Sequence, residues 1–108
     1  MTIFDNDDGR YCLTIIDTDV DERTYELFEE RGLHGGGYTW QGVVWSLIEM
    51  RLPDEAARLA DIGAEADNMY LYCEDRRTLE RVAALFREAL ADHRLLTAAI
   101  DHAGGDIE

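Results

Sequence analysis

Few residues of this chain have the chemistry that a catalytic site requires. Its one serine, Ser46, lies among apolar residues and lacks the Gly-x-Ser-x-Gly turn that exposes a nucleophilic serine. Cys73 and a histidine could form a thiol dyad, but His34, His93 and His102 are scattered, so no spacing selects a partner. A small enzyme that uses Cys73 or His34 is therefore the least supported hypothesis. We expect no catalytic residues and no enzyme activity.

Three consecutive glycines, Gly35–Gly37, could in principle cradle a phosphate. A phosphate-binding loop needs a lysine after its glycines, and the chain has no lysine. The dinucleotide-binding fingerprint needs a preceding strand, whereas a helix is predicted before these glycines. Two interpretations remain: a linker between helices with unusual backbone angles, or a mobile recognition loop flanked by His34, Tyr38 and Trp40.

Two acidic segments resemble calcium-binding loops, but both lack required ligands. In the segment that starts at Asp17, the sixth position holds Glu22 in place of glycine, and the twelfth holds Phe28 in place of glutamate. In the segment Asp5–Gly9, the register that puts Gly9 at the sixth position places Phe4 at the first and Ile15 at the twelfth, where ligands are required. The paired spacing of cysteines or histidines typical of zinc sites is also missing. We therefore expect no metal site and no cofactor.

The charge of the chain is strongly negative. Its 24 acidic residues outnumber 10 basic ones, which are all arginine, and the formal net charge is −14. Residues 1–30 alone hold ten of the acidic residues and two of the arginines. Such a surface repels phosphate backbones and anionic membranes, so we expect neither a nucleic-acid nor a membrane partner. It favours rapid association with a basic protein.

The N-terminus and the cysteines predict a cytoplasmic location. Residues 1–8 are acidic where a secretory signal would be basic. No apolar run approaches the ~20 residues that a membrane helix needs. Cys12 and Cys73 lie far apart in the sequence, and we expect both to be free and reduced.

The elements that would position these residues indicate one α+β domain over residues 1–108. The predicted order is β-α-α-α-β-β-α-α, which corresponds to a small three-stranded antiparallel sheet with helices packed on one face. The acidic N-terminal arm, 1–9, and the tail, 103–108, are expected to be flexible. Clusters of β-branched and aromatic residues predict the three strands, at 10–17, 62–65 and 69–73. Apolar stripes with helical spacing predict helices that start near Val20, Thr39, Pro53, Asp75 and Asp92.

Aromatic residues are the strongest candidates for a binding surface. Trp40 lies on the apolar stripe of its helix and is expected in the core, whereas Trp45 falls off that stripe. Tyr70 and Tyr72 share one face of their strand and would line an open sheet face if the alternate residues face the helices. Exposed aromatic rings surrounded by acids are typical of protein-binding patches. The predicted partner-binding residues are His34, Tyr38, Trp45, Tyr70, Tyr72, Asp17, Asp19 and Asp21.

Two alternatives stay open for this surface. The aromatic rings could be partly buried on a small sheet, and Tyr38 could close its helix onto the core together with Trp40. The interface would then lie on the acidic outer face of the first helix, around Glu22, Glu26 and Glu29.

Three segments in order carry a family resemblance: Phe28–Gly32, the pattern Gly-x-Gly-Tyr-x-Trp that ends at Trp40, and the block from Asp61 to Leu79. Together they resemble the immunity protein 51 family of bacterial polymorphic toxin systems, over about residues 11–100. Families of this kind are cytosolic proteins that bind a cognate toxin and block it. The resemblance therefore implies an α+β fold without enzyme activity or cofactor, and it implies no particular site residues.

The leading hypothesis for function is thus an immunity protein that neutralises a cognate toxin domain, expected to be basic. The protein itself is expected to be a monomer or a weak homodimer. The alternative is an acidic adaptor or effector chaperone that escorts its partner without inhibiting it.

Overall fold

The computed structural model describes residues 1–108 and shows an α+β fold built on one antiparallel sheet. The four strands are β1 (Thr2–Asp5), β2 (Tyr11–Ile16), β3 (Ile62–Glu65) and β4 (Asn68–Cys73). Their order across the sheet is β1-β2-β4-β3. The central pair, β2 and β4, therefore joins the two halves of the chain.

The pairing of β2 with β4 defines the inner face of the sheet. Leu13 lies opposite Leu71, and Ile15 lies opposite Met69. All four side chains are fully buried, and Cys73 continues the same row. Because successive side chains of a strand alternate between faces, this row forms the sheet's contribution to the hydrophobic core.

Four α-helices complete the core: α1 (Glu22–Glu30), α2 (Gly37–Arg51), α3 (Arg76–Ala91) and α4 (His93–Ala103). Helices α2 and α3 pack on the sheet, and α4 packs against both of them. The largest fully buried side chain is that of Trp40 in α2, as its place on the apolar stripe predicted. The α+β class is confirmed.

The predicted count of three strands and the predicted element order are wrong. Part of the expected acidic arm, Thr2–Asp5, forms β1, with Ile3 opposite Leu13 and Phe4 opposite Cys12. Two apolar residues between polar ones are too weak a local pattern to predict a strand, because the strand depends on its pairing with β2. The flexibility expected of residues 1–9 and 103–108 stays a prediction, although Thr2–Asp5 pair with β2 and Ile107 is buried.

The helix predicted to start at Pro53 is also wrong in type. Residues Pro53–Leu59 form a 3₁₀ helix, and a second 3₁₀ helix, Asp17–Asp19, follows β2. Segments this short gain little from α-helical hydrogen bonding, because nucleation is unfavourable. The observed order of strands and α-helices is β-β-α-α-β-β-α-α.

Asp75 and Asp92 cap α3 and α4, which confirms the helix starts predicted there. Their carboxylates accept hydrogen bonds from the backbone N–H groups of Arg77 and Arg94, both at 3.1 Å. The hydroxyl of Thr78 also donates to Asp75 and lowers the pKa of that carboxyl below its ordinary value. This cap therefore stabilises the fold above the pKa of the unfolded carboxyl, and the contribution is lost as pH falls through the lower folded pKa.

Candidate partner-binding surface

Three side chains with catalytic chemistry hold structural positions. Ser46 is buried, and its hydroxyl donates to the carbonyl of Ala99, which ties α2 to α4. Cys73 lies in the hydrophobic core. Nε2 of His93 lies 3.0 Å from the hydroxyl oxygen of Thr24. No three His, Cys, Asp or Glu side chains converge in an arrangement that could hold a metal ion.

The glycine segment packs the start of α2 against the turn between β3 and β4. Gly35 has a φ of +81°, a left-handed conformation that favours glycine. The N–H of Gly37 donates to the carbonyl of Ala66 at 3.1 Å. A Cβ on Gly37 would lie 2.0 Å from the carbonyl oxygen of Glu65 and 2.1 Å from that of Asn68. These glycines thus permit a close backbone approach, which agrees with a linker that needs unusual geometry.

The C-terminal residues pack across α2. Ile107 is buried against Gly42, where a Cβ would approach its Cγ1 to 2.8 Å. The carbonyl oxygen of Glu108 accepts hydrogen bonds from the N–H of His34 and the hydroxyl of Thr39. The absence of a side chain at position 42 therefore provides the seat for this segment, which ends beside the glycine segment.

A cleft of about 470 Å³ lies between α2, β3 and the C-terminal segment, and we call it the α2–β3 cleft. Tyr38 and Trp45 line it from the helix, where their spacing of seven residues places them on one face. Ala60 and Ile62 line it from the side of β3. Tyr38 also lines a neighbouring cleft of about 320 Å³ that includes His34. The structure thus brings three of the predicted residues together.

The α2–β3 cleft also contains residues that were not predicted from the sequence. Gln41 and Gly42 complete a row with Tyr38 and Trp45 at the helical spacing i, i+3, i+4, i+7, so this part carried a detectable signal. Ala60 and Ile62 were not predicted either, and the last two unpredicted residues are Asp106 and Glu108. They lie more than sixty residues further along the chain, and no local pattern places them beside α2.

The outer face of the sheet carries two more of the predicted residues. The rings of Tyr70 and Tyr72 meet edge to face, with 5.8 Å between their centroids. The guanidinium of Arg10 lies 4.6 Å from the centroid of the Tyr72 ring. Phe4 and Ile16 on the same face are 42% and 46% exposed. This face is therefore an aromatic and aliphatic surface with one cation over it.

At Gly63, the aromatic surface of the outer face extends over the edge strand β3, towards the α2–β3 cleft. A Cβ on Gly63 would lie 2.7 Å from the ring and the hydroxyl of Tyr70, so this ring lies over the edge strand β3. The residue before Gly63 in β3, Ile62, lines the cleft. The two groups of predicted aromatic residues are thus neighbours across a single strand.

The three predicted aspartates lie between the end of β2 and the start of α1. Asp19 forms an ion pair with the amino group of Met1. Asp21 accepts a hydrogen bond from the hydroxyl of Thr24. The carboxylate of Asp17 has no partner within the protein. Two of the three are therefore engaged in structural contacts, which sequence spacing could not reveal.

Cys12 and Cys73 are free and lie on opposite faces of the sheet. Cys12 is opposite Tyr72 and so points to the outer face, whereas Cys73 points into the core. Side chains that diverge in this way cannot form a disulfide without backbone movement. Burial raises the pKa of the Cys12 thiol, which keeps it protonated and poorly reactive at neutral pH.

We expect unfolded protein, prepared without reductant, to titrate two thiols with a chromogenic disulfide reagent. The folded protein should react far more slowly, because both thiols are 1% exposed. A count of zero thiols in the unfolded protein would contradict the expected redox state.

The chain is similar to a known protein family. The family model described as Immunity protein 51 matches residues 1–105, which include every strand and α-helix of the fold. Neither the curated proteins nor the solved structures provide a significant match. None of the helices combines the length and the apolar character needed to cross a membrane.

Proposed function

The chain belongs to the immunity protein 51 family, and from this we propose that it binds a cognate toxin domain and neutralises it by direct contact. Neutralisation by contact alone requires of the chain neither a reaction nor a cofactor. We place this action in the cytoplasm, in keeping with the two free cysteines.

The observation that supports this proposal beyond family membership is an exposed aromatic surface on a strongly acidic protein. Tyr38 is 49% exposed although it is a large, mostly apolar side chain. Trp45, Tyr70 and Tyr72 are half-buried nearby. Aromatic side chains are frequent anchors of protein interfaces, because they bury a large area with little loss of side-chain entropy.

We propose that the partner is basic, because a formal net charge of −14 would steer such a protein into contact. The adaptor hypothesis shares this electrostatic argument. It differs in one outcome, since a toxin bound to an adaptor would remain active.

Association with the toxin should depend steeply on salt. The partner for this test is the toxin domain encoded beside the gene, carrying a substitution that abolishes its activity. Between ionic strengths at which the Debye length is ~30 Å and ~8 Å, we expect the association rate constant to fall at least about tenfold.

The dissociation rate constant, measured in the same stopped-flow or surface-binding experiment, is the internal control. It should change much less, because peripheral charges act mainly on the association step. An association rate that does not change with salt would refute electrostatic steering, and the absence of any complex would refute the proposed function.

A further inference from the structure

We propose that the α2–β3 cleft receives one cationic side chain, an arginine or a lysine, from the partner protein. This inference rests on the proposed function and assigns a chemistry to one part of the binding surface. It is supported by the aromatic wall of the cleft, by its unpaired carboxylates and by the segment that holds them.

The wall of the cleft suits the alkyl stem and the charged group of such a side chain. Tyr38 and Trp45 line the cleft one helical turn before and after Gly42, where the buried Ile107 occupies the place of the missing side chain. Ile62 adds apolar surface from β3. The faces of aromatic rings attract cations, and a long basic side chain can lay its methylene groups along apolar surface while its charge stays near water.

The charge of the cleft is negative and uncompensated. The exposed residues Asp106 and Glu108 line it, and neither side-chain carboxylate forms an ion pair or a hydrogen bond within the protein. No arginine lines the cleft. Six of the ten arginines pair with carboxylates elsewhere: Arg10, Arg31, Arg58, Arg76, Arg81 and Arg94. A cation from a partner would therefore meet two free carboxylates and no repelling charge.

The two carboxylates are held beside the aromatic rings by the packing of the C-terminal segment. Ile107, between them in sequence, is buried against Gly42. The backbone oxygen of Glu108 accepts hydrogen bonds from His34 and Thr39, at 3.0 and 2.7 Å. Little ordering of this segment is then required when a cation binds, which favours binding.

The two tryptophans of the chain provide a direct test by NMR, because each gives one indole N–H signal. We would add N-acetyl-arginine amide to the ¹⁵N-labelled protein. The Trp45 signal should shift saturably, while the signal of the buried Trp40 stays in place. N-acetyl-citrulline amide, which has the same shape without the charge, should give a shift at least about fivefold smaller.

Two charge-matched variants test the carboxylates. Asp106→Asn combined with Glu108→Gln should abolish the shift of Trp45. Asp54→Asn combined with Glu88→Gln removes the same charge at two exposed positions outside the cleft, where neither carboxylate forms an ion pair, and should preserve the shift. The inference would be overturned if the Trp45 signal did not shift with the arginine probe up to its solubility limit, or if it shifted equally with the citrulline probe.

The same variants, tested against the inactivated toxin, separate this inference from the proposed function. We expect the Asp106/Glu108 variant to bind at least about tenfold more weakly, and the Asp54/Glu88 variant to change by less than about threefold. If the wild-type chain binds the toxin and the Asp106/Glu108 variant binds equally well, the cleft inference fails and the function stands. If the wild-type chain does not bind, both fail.

Discussion

Replacing Trp40 with alanine is expected to lower the free energy of unfolding by about 3–5 kcal/mol, the usual cost of truncating a large buried aromatic side chain. Trp40 is 1% exposed and is the largest of the fully buried side chains. Its indole N–H has no hydrogen-bond partner, so the loss would come from packing alone. Urea denaturation monitored by circular dichroism measures this change.

The conservative variant Trp40→Phe keeps most of the ring and removes the unpaired N–H. We therefore expect it to cost about half as much or less. A cost below about 1 kcal/mol for Trp40→Ala would show that the residue is not part of the core.

Tyr38 lies two residues before Trp40, and we expect the opposite behaviour from its alanine variant. Because Tyr38 is 49% exposed, Tyr38→Ala should change the free energy of unfolding by less than about 1 kcal/mol. The same variant should weaken toxin binding by about 2 kcal/mol, as expected of an interface anchor. If neither Tyr38→Ala nor Trp45→Ala affects affinity, the interface lies elsewhere, and the outer face of α1 is the next surface to test.

Gly37→Ala is expected to lower the free energy of unfolding by about 3 kcal/mol, although alanine is the better helix former. The new Cβ would lie 2.0 and 2.1 Å from the carbonyl oxygens of Glu65 and Asn68. Both are backbone atoms of the β3–β4 hairpin, so neither can move aside like a flexible side chain. The start of α2 would have to separate from the hairpin.

Gly104→Ala is the control for this prediction. Gly104 has a φ of +62°, and a Cβ at this position would have no other atom within 4 Å, so alanine there carries only the backbone cost of about 1 kcal/mol. A Gly37→Ala variant as stable as Gly104→Ala would contradict the close approach seen in the structure.

The parts of the fold that sequence predicted well are those with strong local patterns. Residues that alternate along β4 and the apolar stripe along α3 each bury one face of their element. These local patterns indicated the type and the position of both elements without knowledge of what they pack against. Asp75 and Asp92 gave helix starts for the same reason. Strand β1 was missed because Ile3 and Phe4 are ordered by pairing with β2, a contact that no local pattern encodes.

The candidate site was also predictable only where a local sequence pattern exists. Tyr38 could be proposed from its place beside the glycine segment, and Trp45 from its position off the core stripe. Asp106 and Glu108 could not, because they reach the cleft through the packing of Ile107 on Gly42. A glycine inside a helix was the one sign that another segment could pack there, and it did not identify which segment.

The central claim is that this chain neutralises the toxin that it binds, and the most direct test is the activity of that toxin in the complex. The active toxin domain should be titrated with the purified chain while its reaction is followed. We expect activity to fall linearly and to be lost at one equivalent, with the Tyr38→Ala variant requiring a clear excess. A toxin that forms the complex and retains its full activity would contradict the claim and identify the chain as an adaptor.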